Sequence, residues 1–464
     1  MQNVLVAPFQ NKAAYMTQDL KELSEQLIST AKKFGASSAE AIVACGKSLS
    51  VEVKDQSLEK IENSESIDLG LRVFVNQKSA SVSVSSIKNN AIEEMALRAV
   101  AMAKEAPSDE FSGLAKSSEI CVDWDLEKLK LWDDSYNNVN SLKLESLALE
   151  MEKSALEIKG ISQCEGAGTG STFSDFYMSN TNGFSGGYRR SSFQLFCSAI
   201  AGSNSSMERD YASESRVFFN DLPDGFEIGA LAGERAVSKL NSQKPPTGKY
   251  PVFFDQRVSS SLIGHLTSAI NGASISRGSS WLLNSLEKKV LPENLTLTED
   301  PTRPKIFGSR PFDGEGLPTC ERKFIENGVL KTFALDLRSA RKLNLQATGN
   351  ASRSLSSTPY PSIGNLYLSH GVMSFSDIVK SIKSGLLVTS LIGSTINQNT
   401  GDYSRGASGF WIENGAISFP VNECTIAGNL KEMLLGIVPA DDGKPYLSRV
   451  IPSLLVEHMI VAGQ

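Results

Sequence analysis

Pro245 and Pro246 stand side by side in NSQKPPTGKYP, residues 241–251. A proline has no N–H to give to a helix or a sheet ladder, and the residue before it is pushed out of the helical region. No helix or central strand runs easily through this stretch, so the chain is expected to fold in parts on either side of a linker at 241–250. With 464 residues in all, both parts are long enough to bury a core.

Before the linker the hydrophobic period changes repeatedly. Residues 17–34, TQDLKELSEQLISTAKKF, repeat Leu20, Leu23, Leu27 and Ala31 between a Thr17 or Asp19 start and a Gly35 stop, which predicts an amphipathic helix. Residues 39–47, 48–54, 67–75 and 80–84 alternate and predict three or four antiparallel strands. A second helix follows over 90–106, its Ile92, Met95, Ala96 and Val100 turned to the sheet. This is an α+β unit over 17–106, after a flexible terminus at 1–16. That terminus, MQNVLVAPFQNKAAYM, has one short apolar patch broken by Pro8 and neither the basic start nor the cleavage site of a signal peptide, so a cytoplasmic protein is expected.

A middle domain over 107–240 is predicted from an irregular stretch carrying Trp124 and Trp132, a helix at 141–159, and a β-meander with turn signals at Asn182-Gly183 and Gly186-Gly187. Gly166, Gly168 and Gly170 lie within strand-like sequence and no Lys-Ser/Thr follows, which argues against a phosphate loop. A helix at 226–240 leads to the linker. The C-terminal domain, 251–464, reads as a β-rich sheet or barrel with inserted helices near 337–343, 374–383 and 427–436, and turns at Asp313-Gly314, Glu326-Asn327-Gly328, Gly349-Asn350 and Glu413-Asn414-Gly415.

Within that domain, SSSLIGHLTSAINGASISRGSSWLL (259–283) opens as a helix, with Leu262, Leu266 and Ala269 on one face and Gly272 as its end. A buried helix of this kind could carry the ligands of a catalytic metal. It offers His265 alone, and one imidazole does not hold a zinc ion that needs three protein ligands. His370 and His458 are distant, and Cys45, Cys121, Cys164, Cys197, Cys320 and Cys424 form no CxxC pair. Reduced, mostly buried thiols are expected. A net charge of −6 and no dense basic run predict no direct nucleic-acid binding. No apolar run approaches the roughly 20 residues of a membrane span.

Two further groups carry candidate chemistry. Asp313 and Glu315 in PFDGEGLPT are either paired carboxylates or a turn in which Asp313 binds local amides, the second reading being favoured. In GDYSRGASGFWIENG (401–415), the small residues around Tyr403, Ser404, Arg405, Gly409 and Trp411 would let a peptide backbone approach, with Arg405 free to pair with carboxylates or carbonyls. The alternative is a glycine-rich turn feeding an aromatic strand.

The blocks SLIGHLTSAINGASISRGSSWL, FDGEGLPTCERKFIENGVLKTFALDLRSARKLN, GDYSRGASGFWIENGAISFPVNECTIAGNL and SLLVEHMIVAG, in this order, resemble the C-terminal domain of the PmbA/TldE family, the paralogue of TldD. DQSLEKIENSESIDLGLRVFVNQKSASVSVS and SNTNGFSGGYRRSSF resemble its earlier parts. The resemblance implies a two-subunit metalloprotease acting on unfolded peptides, in which the TldD-type chain carries zinc on a His-Glu-x-x-x-His helix and a distant cysteine. Those helix positions fall here at Ile263, Gly264 and Ser268, and GIVPADDGKPYLSRVIPSLL, where the cysteine would belong, has none. The resemblance therefore implies a chain without catalytic residues or bound metal, paired with a zinc-bearing TldD-type subunit. A stand-alone homodimeric peptide-binding or regulatory protein, or one acting on gyrase as the family label "modulator of DNA gyrase" has it, are the other readings.

Overall fold

Residues 38–54, SAEAIVACGKSLSVEVK, alternate so regularly that they form one strand, β1 (Ser38–Lys54), where the sequence suggested two. In this computed structural model, which describes residues 17–85 and 90–463, β1 is the centre of the first sheet. The expected flexible stretch 1–16 lies outside the described residues. Around β1 stand β2 (Ser57–Val75), β3 (Lys78–Val84), β4 (Ile161–Asn180), β5 (Ser185–Ala201) and β6 (Glu208–Arg216), in the order β3-β2-β1-β4-β5-β6. All neighbours are antiparallel, and the β1–β4 pairing ties residues of the expected 17–106 and 107–240 units into a single sheet.

Side chains along β1 point alternately to the two faces. Ala39, Ala41, Val43 and Cys45 join a core with α1 (Thr17–Lys33) and α2 (Ala91–Glu105). Beside it α3 (Ser141–Glu157) and α4 (Gly225–Ser238) cover β4, β5 and β6. Ile42 faces the other way and meets Met178, Phe184, Tyr188 and Phe312, the last from the C-terminal domain. Helices thus cover one face and the C-terminal domain part of the other.

Gly186 and Gly187, read as a turn, are inside β5; only Asn182-Gly183 turns the chain. Their missing Cβ atoms make room for the Trp124 ring and the Phe176 carbonyl respectively, a close approach rather than a bend.

The C-terminal domain is built on β7 (Gly248–Phe254), which starts within the linker region, followed directly by α5 (Gln256–Ala269). Further along come a short helix α6 (Leu337–Leu343) and the strands β8 (Ser384–Ile396), β9 (Asp402–Glu413), β10 (Ala416–Asn429) and β11 (Leu454–Ala462). These strands run β10-β9-β8-β7-β11, and β10 also pairs with β11 through Thr425–Ala462, Ile426–Val461 and Ala427–Ile460, which closes a five-stranded barrel. The GDYSRGASG stretch, expected as a loop or turn, is therefore strand β9. The helix expected over 427–436 is shorter, Leu430–Leu435, because β10 continues through Asn429. Gly272 begins a separate short helix, α5 having ended at Ala269. Among the described residues no helix is long and apolar enough to cross a membrane.

Candidate functional site

Asp255 caps α5, its side chain accepting the Arg257 N–H at 2.9 Å. Leu262, Ile263 and Leu266 bury fully into the largest core, against Leu386, Val388, Tyr403, Ala407 and Trp411 of the barrel. Side chains of β9 alternate, so Tyr403, Arg405, Ala407, Gly409 and Trp411 share one row. Four of these five positions are tightly packed. Tyr403 and Trp411 are each 2 % exposed, Trp411 edge-on to Tyr250, so its ring is part of the core. Gly409 lies against the Leu387 carbonyl, where a Cβ would not fit. Ser404 points to the opposite face.

Arg405 is the exception in this row. It lines a cavity of about 330 Å³ with Arg257, Ser261, Thr389 and Ser390, and among the described residues its buried Nε has no hydrogen-bond partner. Among the described residues His265 Nε2 is likewise buried and unpartnered, while Tyr403 Oη has the Arg405 guanidinium within reach but outside good hydrogen-bond geometry; the two rings meet edge to face at 5.8 Å. Burial pushes the Tyr403 hydroxyl up to about 12 although the Arg405 charge pulls it down. Burial, and then the Arg405 charge, hold His265 below its usual pKa.

β7 ends at Phe254, and its partner strand β8 runs on. The Asp255 N–H reaches the Val388 carbonyl at 3.0 Å, and beyond this point β8 is paired through Ser390–Ile396 with β9 alone among the described residues. The free edge of β8 thus faces the α5 side, with the Arg405 cavity at one end. At the other is a cavity of about 210 Å³ lined by His265, Ser268, Trp281, Ile396 and Gln398. An extended peptide could add to such an edge by backbone pairing.

The zinc ligands that the resemblance implies for a catalytic chain do not fit here. Ile263 is fully buried in the core, Gly264 has no side chain, and the Ser268 hydroxyl donates to the Gly264 carbonyl at 2.9 Å. Among the described residues no three His, Cys, Asp or Glu side chains are grouped to hold a metal ion. His265 itself is beside a guanidinium, whose charge would repel a dication. Cys424 donates to the Ala407 carbonyl at 3.1 Å within the barrel, and burial pushes its thiol up to about 11.

Asp313 and Glu315 sit elsewhere. Both are buried; Asp313 accepts the N–H groups of Glu315, Leu317 and Ala351, and Glu315 accepts that of Leu337, the first residue of α6. Asp313 lines a different cavity, of about 540 Å³, between β1, β4 and the C-terminal domain. Burial pushes Asp313 up to about 6, and burial and then the Asp313 charge push Glu315 well above the usual range.

Sequence reasoning missed Thr389, Arg257, Lys239 and Asp210, which reach the Arg405 cavity from β8, from α5, from the residue that ends α4 and from β6. Thr389 offered a faint signal as a hydroxyl in the apolar run LLVTSLIG; the others become neighbours only through the fold.

Family models for the PmbA/TldA metallopeptidase match in three pieces: domain 1 over 39–103, the central domain over 134–240 and the C-terminal domain over 247–463. A Haemophilus influenzae protein named metalloprotease PmbA homolog is 34 % identical over 461 residues, 98 % of this chain and 99 % of that one. Among solved structures, a candidate modulator of DNA gyrase from Bacteroides thetaiotaomicron is 28 % identical, covering 97 % of this chain and 100 % of its own, with a TM-score of 0.88. TldE from Thermococcus kodakarensis, at 21 % identity, 95 % and 100 % coverage and a TM-score of 0.83, shares the fold. With the three domain models in order along the chain and a relative matched nearly end to end, the chain belongs to the PmbA/TldD metallopeptidase family.

Proposed function

We propose that this chain is the non-catalytic subunit of a heteromeric zinc metallopeptidase, completing the chamber in which a TldD-type partner cleaves unfolded peptides. The observation that carries this reading is helix α5, one face of which is buried in the core. A zinc peptidase needs a metal-bound water and a base at such a helix, and α5 offers Ile263, Gly264 and Ser268 with His265 beside Arg405. What the chain keeps is the free edge of β8 facing the α5 side, with Arg405 Nε and His265 Nε2 unpaired nearby among the described residues. Such an edge can hold an extended peptide by main-chain hydrogen bonds with little regard to its sequence.

In this reading the complex is cytoplasmic and any effect on gyrase runs through turnover of a peptide rather than through contact with DNA. Metal analysis with size-exclusion chromatography tests the pairing. The purified chain should carry no stoichiometric zinc, because a zinc site needs at least three protein ligands. Mixed with a TldD-type subunit it should co-elute in a zinc-containing complex. Tightly bound zinc near one per chain, or no co-elution at micromolar concentration, would refute the assignment.

A further inference from the structure

The cavity beside the start of α5 is charged out of balance. Lys239, Arg257, Arg405 and Arg209 line it, against the single lining carboxylate of Asp210. Asp210 is already shared, with Lys239 Nζ at 3.0 Å and Arg257 Nη1 at 3.1 Å. Arg257 also approaches Asp255 at 3.5 Å, and Arg209 pairs with Glu165 at 2.8 Å. Arg405 makes no ion pair among the described residues, and its buried Nε donates to nothing. Thr389, 7 % exposed, has its hydroxyl oxygen buried and equally unpartnered on the cavity wall.

Neighbouring groups register the surplus. Arg235 is held below its usual pKa by burial and then by Arg257, and His265 by burial and then by Arg405. Burying an idle guanidinium N–H and an idle hydroxyl among other cations is unfavourable unless something else satisfies them. An incoming anion would do so, with charge-assisted hydrogen bonds to the guanidinium. A carboxylate matches that planar donor fork.

The location says where such a carboxylate comes from. Thr389, Ser390 and Leu391 are both cavity wall and the first residues of the free β8 edge, immediately past the point where β7 closes that edge at Asp255 and Val388. A peptide strand laid on the edge has to stop or turn here, because β7 occupies the continuation. We propose that this cavity is a carboxylate pocket for the bound peptide, taking its C-terminus or an acidic side chain, with Arg405 and Thr389 as the direct partners. The pocket rests on the peptide-chamber reading, and it makes that chamber selective for peptides with a carboxylate at the blocked end.

The test is fluorescence anisotropy with three dye-labelled ten-residue peptides of Ala, Ser, Thr and Val. One ends in a free carboxylate, one in an amide, and one in an amide with a penultimate Glu. Each is titrated with the full chain alone and with its complex with a TldD-type subunit. At least one carboxylate peptide should bind tenfold or more tightly than the plain amide, and the preferred one identifies end or side chain as the source. Arg405→Gln should bring all three within twofold, while Arg405→Lys keeps part of the preference. If Arg405→Gln fails to fold, Thr389→Val serves, with at least a threefold loss of preference expected. Equal binding of all three, no binding, or a preference that survives these substitutions overturns the pocket. No cleavage is read, so a failed pocket leaves the pairing with a zinc subunit standing. A failed pairing still leaves the preference measurable on this chain alone.

Discussion

Glu315 is buried, and its carboxyl accepts the Leu337 N–H at 2.8 Å, yet burial and the Asp313 charge push its pKa well above 4.5. The folded chain then holds a proton that the unfolded chain has lost, so the stabilising contribution of this group is complete below about pH 4.5 and fades as pH rises through the folded value. Each pH unit in that window is worth at most about 1.4 kcal/mol. Glu315→Gln keeps an acceptor for Leu337 and never ionises. Its melting temperature should exceed that of the wild type at pH 8, with the gap closing toward pH 5; an equal difference at both values, by thermal unfolding, would contradict the assignment. Arg405→Ala removes no ion pair, so its stability should change by less than about 1 kcal/mol. Peptide processing by the complex should nevertheless fall roughly tenfold, the scale of a lost charge-assisted hydrogen bond. The pKa of His265, followed by NMR titration, should rise once the cation is gone. An unchanged cleavage rate would remove Arg405 from the site. Arg405 was legible in sequence because Ser404 and Gly406 gave it no bulky neighbours. Its surroundings were not, since Asp210, Lys239 and Arg257 lie far from it along the chain and meet it only in the folded molecule.

At the scale of elements, two glycines make a contrast. Gly225, Gly229 and Gly233 recur every fourth residue on α4 and face α3, so that the helices approach to backbone contact. A Cβ at Gly229 would overlap the Met151 carbonyl and the Ser154 hydroxyl, and Gly229→Ala should destabilise by about 3 kcal/mol. Gly264, in the same residue class and also mid-helix, has only Arg449 Nη1 near, at 3.6 Å. Gly264→Ala should be neutral or stabilise by up to about 1 kcal/mol through helix propensity. Urea unfolding of both variants checks the pair; similar losses in the two would show that the packing is misassigned. The glycine spacing in GFEIGALAGERA was available as a signal for α4, because glycine is costly inside a helix unless something needs the space. By contrast, Gly186-Gly187 looked like a turn and is strand, since the same missing Cβ serves both uses and only the Trp124 ring, remote in sequence, decides between them. The row of β9 was likewise hidden by the small residues of GDYSRGASG, whose strand character comes from pairing with β8 and β10 rather than from propensity.

For the whole molecule, alternation and helix periodicity made the α+β class legible, and the long family-like blocks pointed to the domain that carries α5. Closure of the barrel was not, because it depends on Thr425 to Ala427 meeting Ile460 to Ala462, a register that no local pattern encodes. The charge of −6 belongs to this scale too. Duplex DNA should bind the chain no more tightly than non-specific contacts do, with a dissociation constant of about 1–100 μM or weaker at about 0.15 M salt, and a submicromolar complex would contradict this. The most direct measurement is cleavage of an unfolded peptide by this chain alone, by a TldD-type subunit alone, and by both together with and without a chelator. The isolated chain should be inactive, the mixture should cleave far faster than either component, and the chelator should abolish the activity. Chelator-sensitive cleavage by this chain alone, or full activity of the TldD-type subunit without it, would contradict the division of labour.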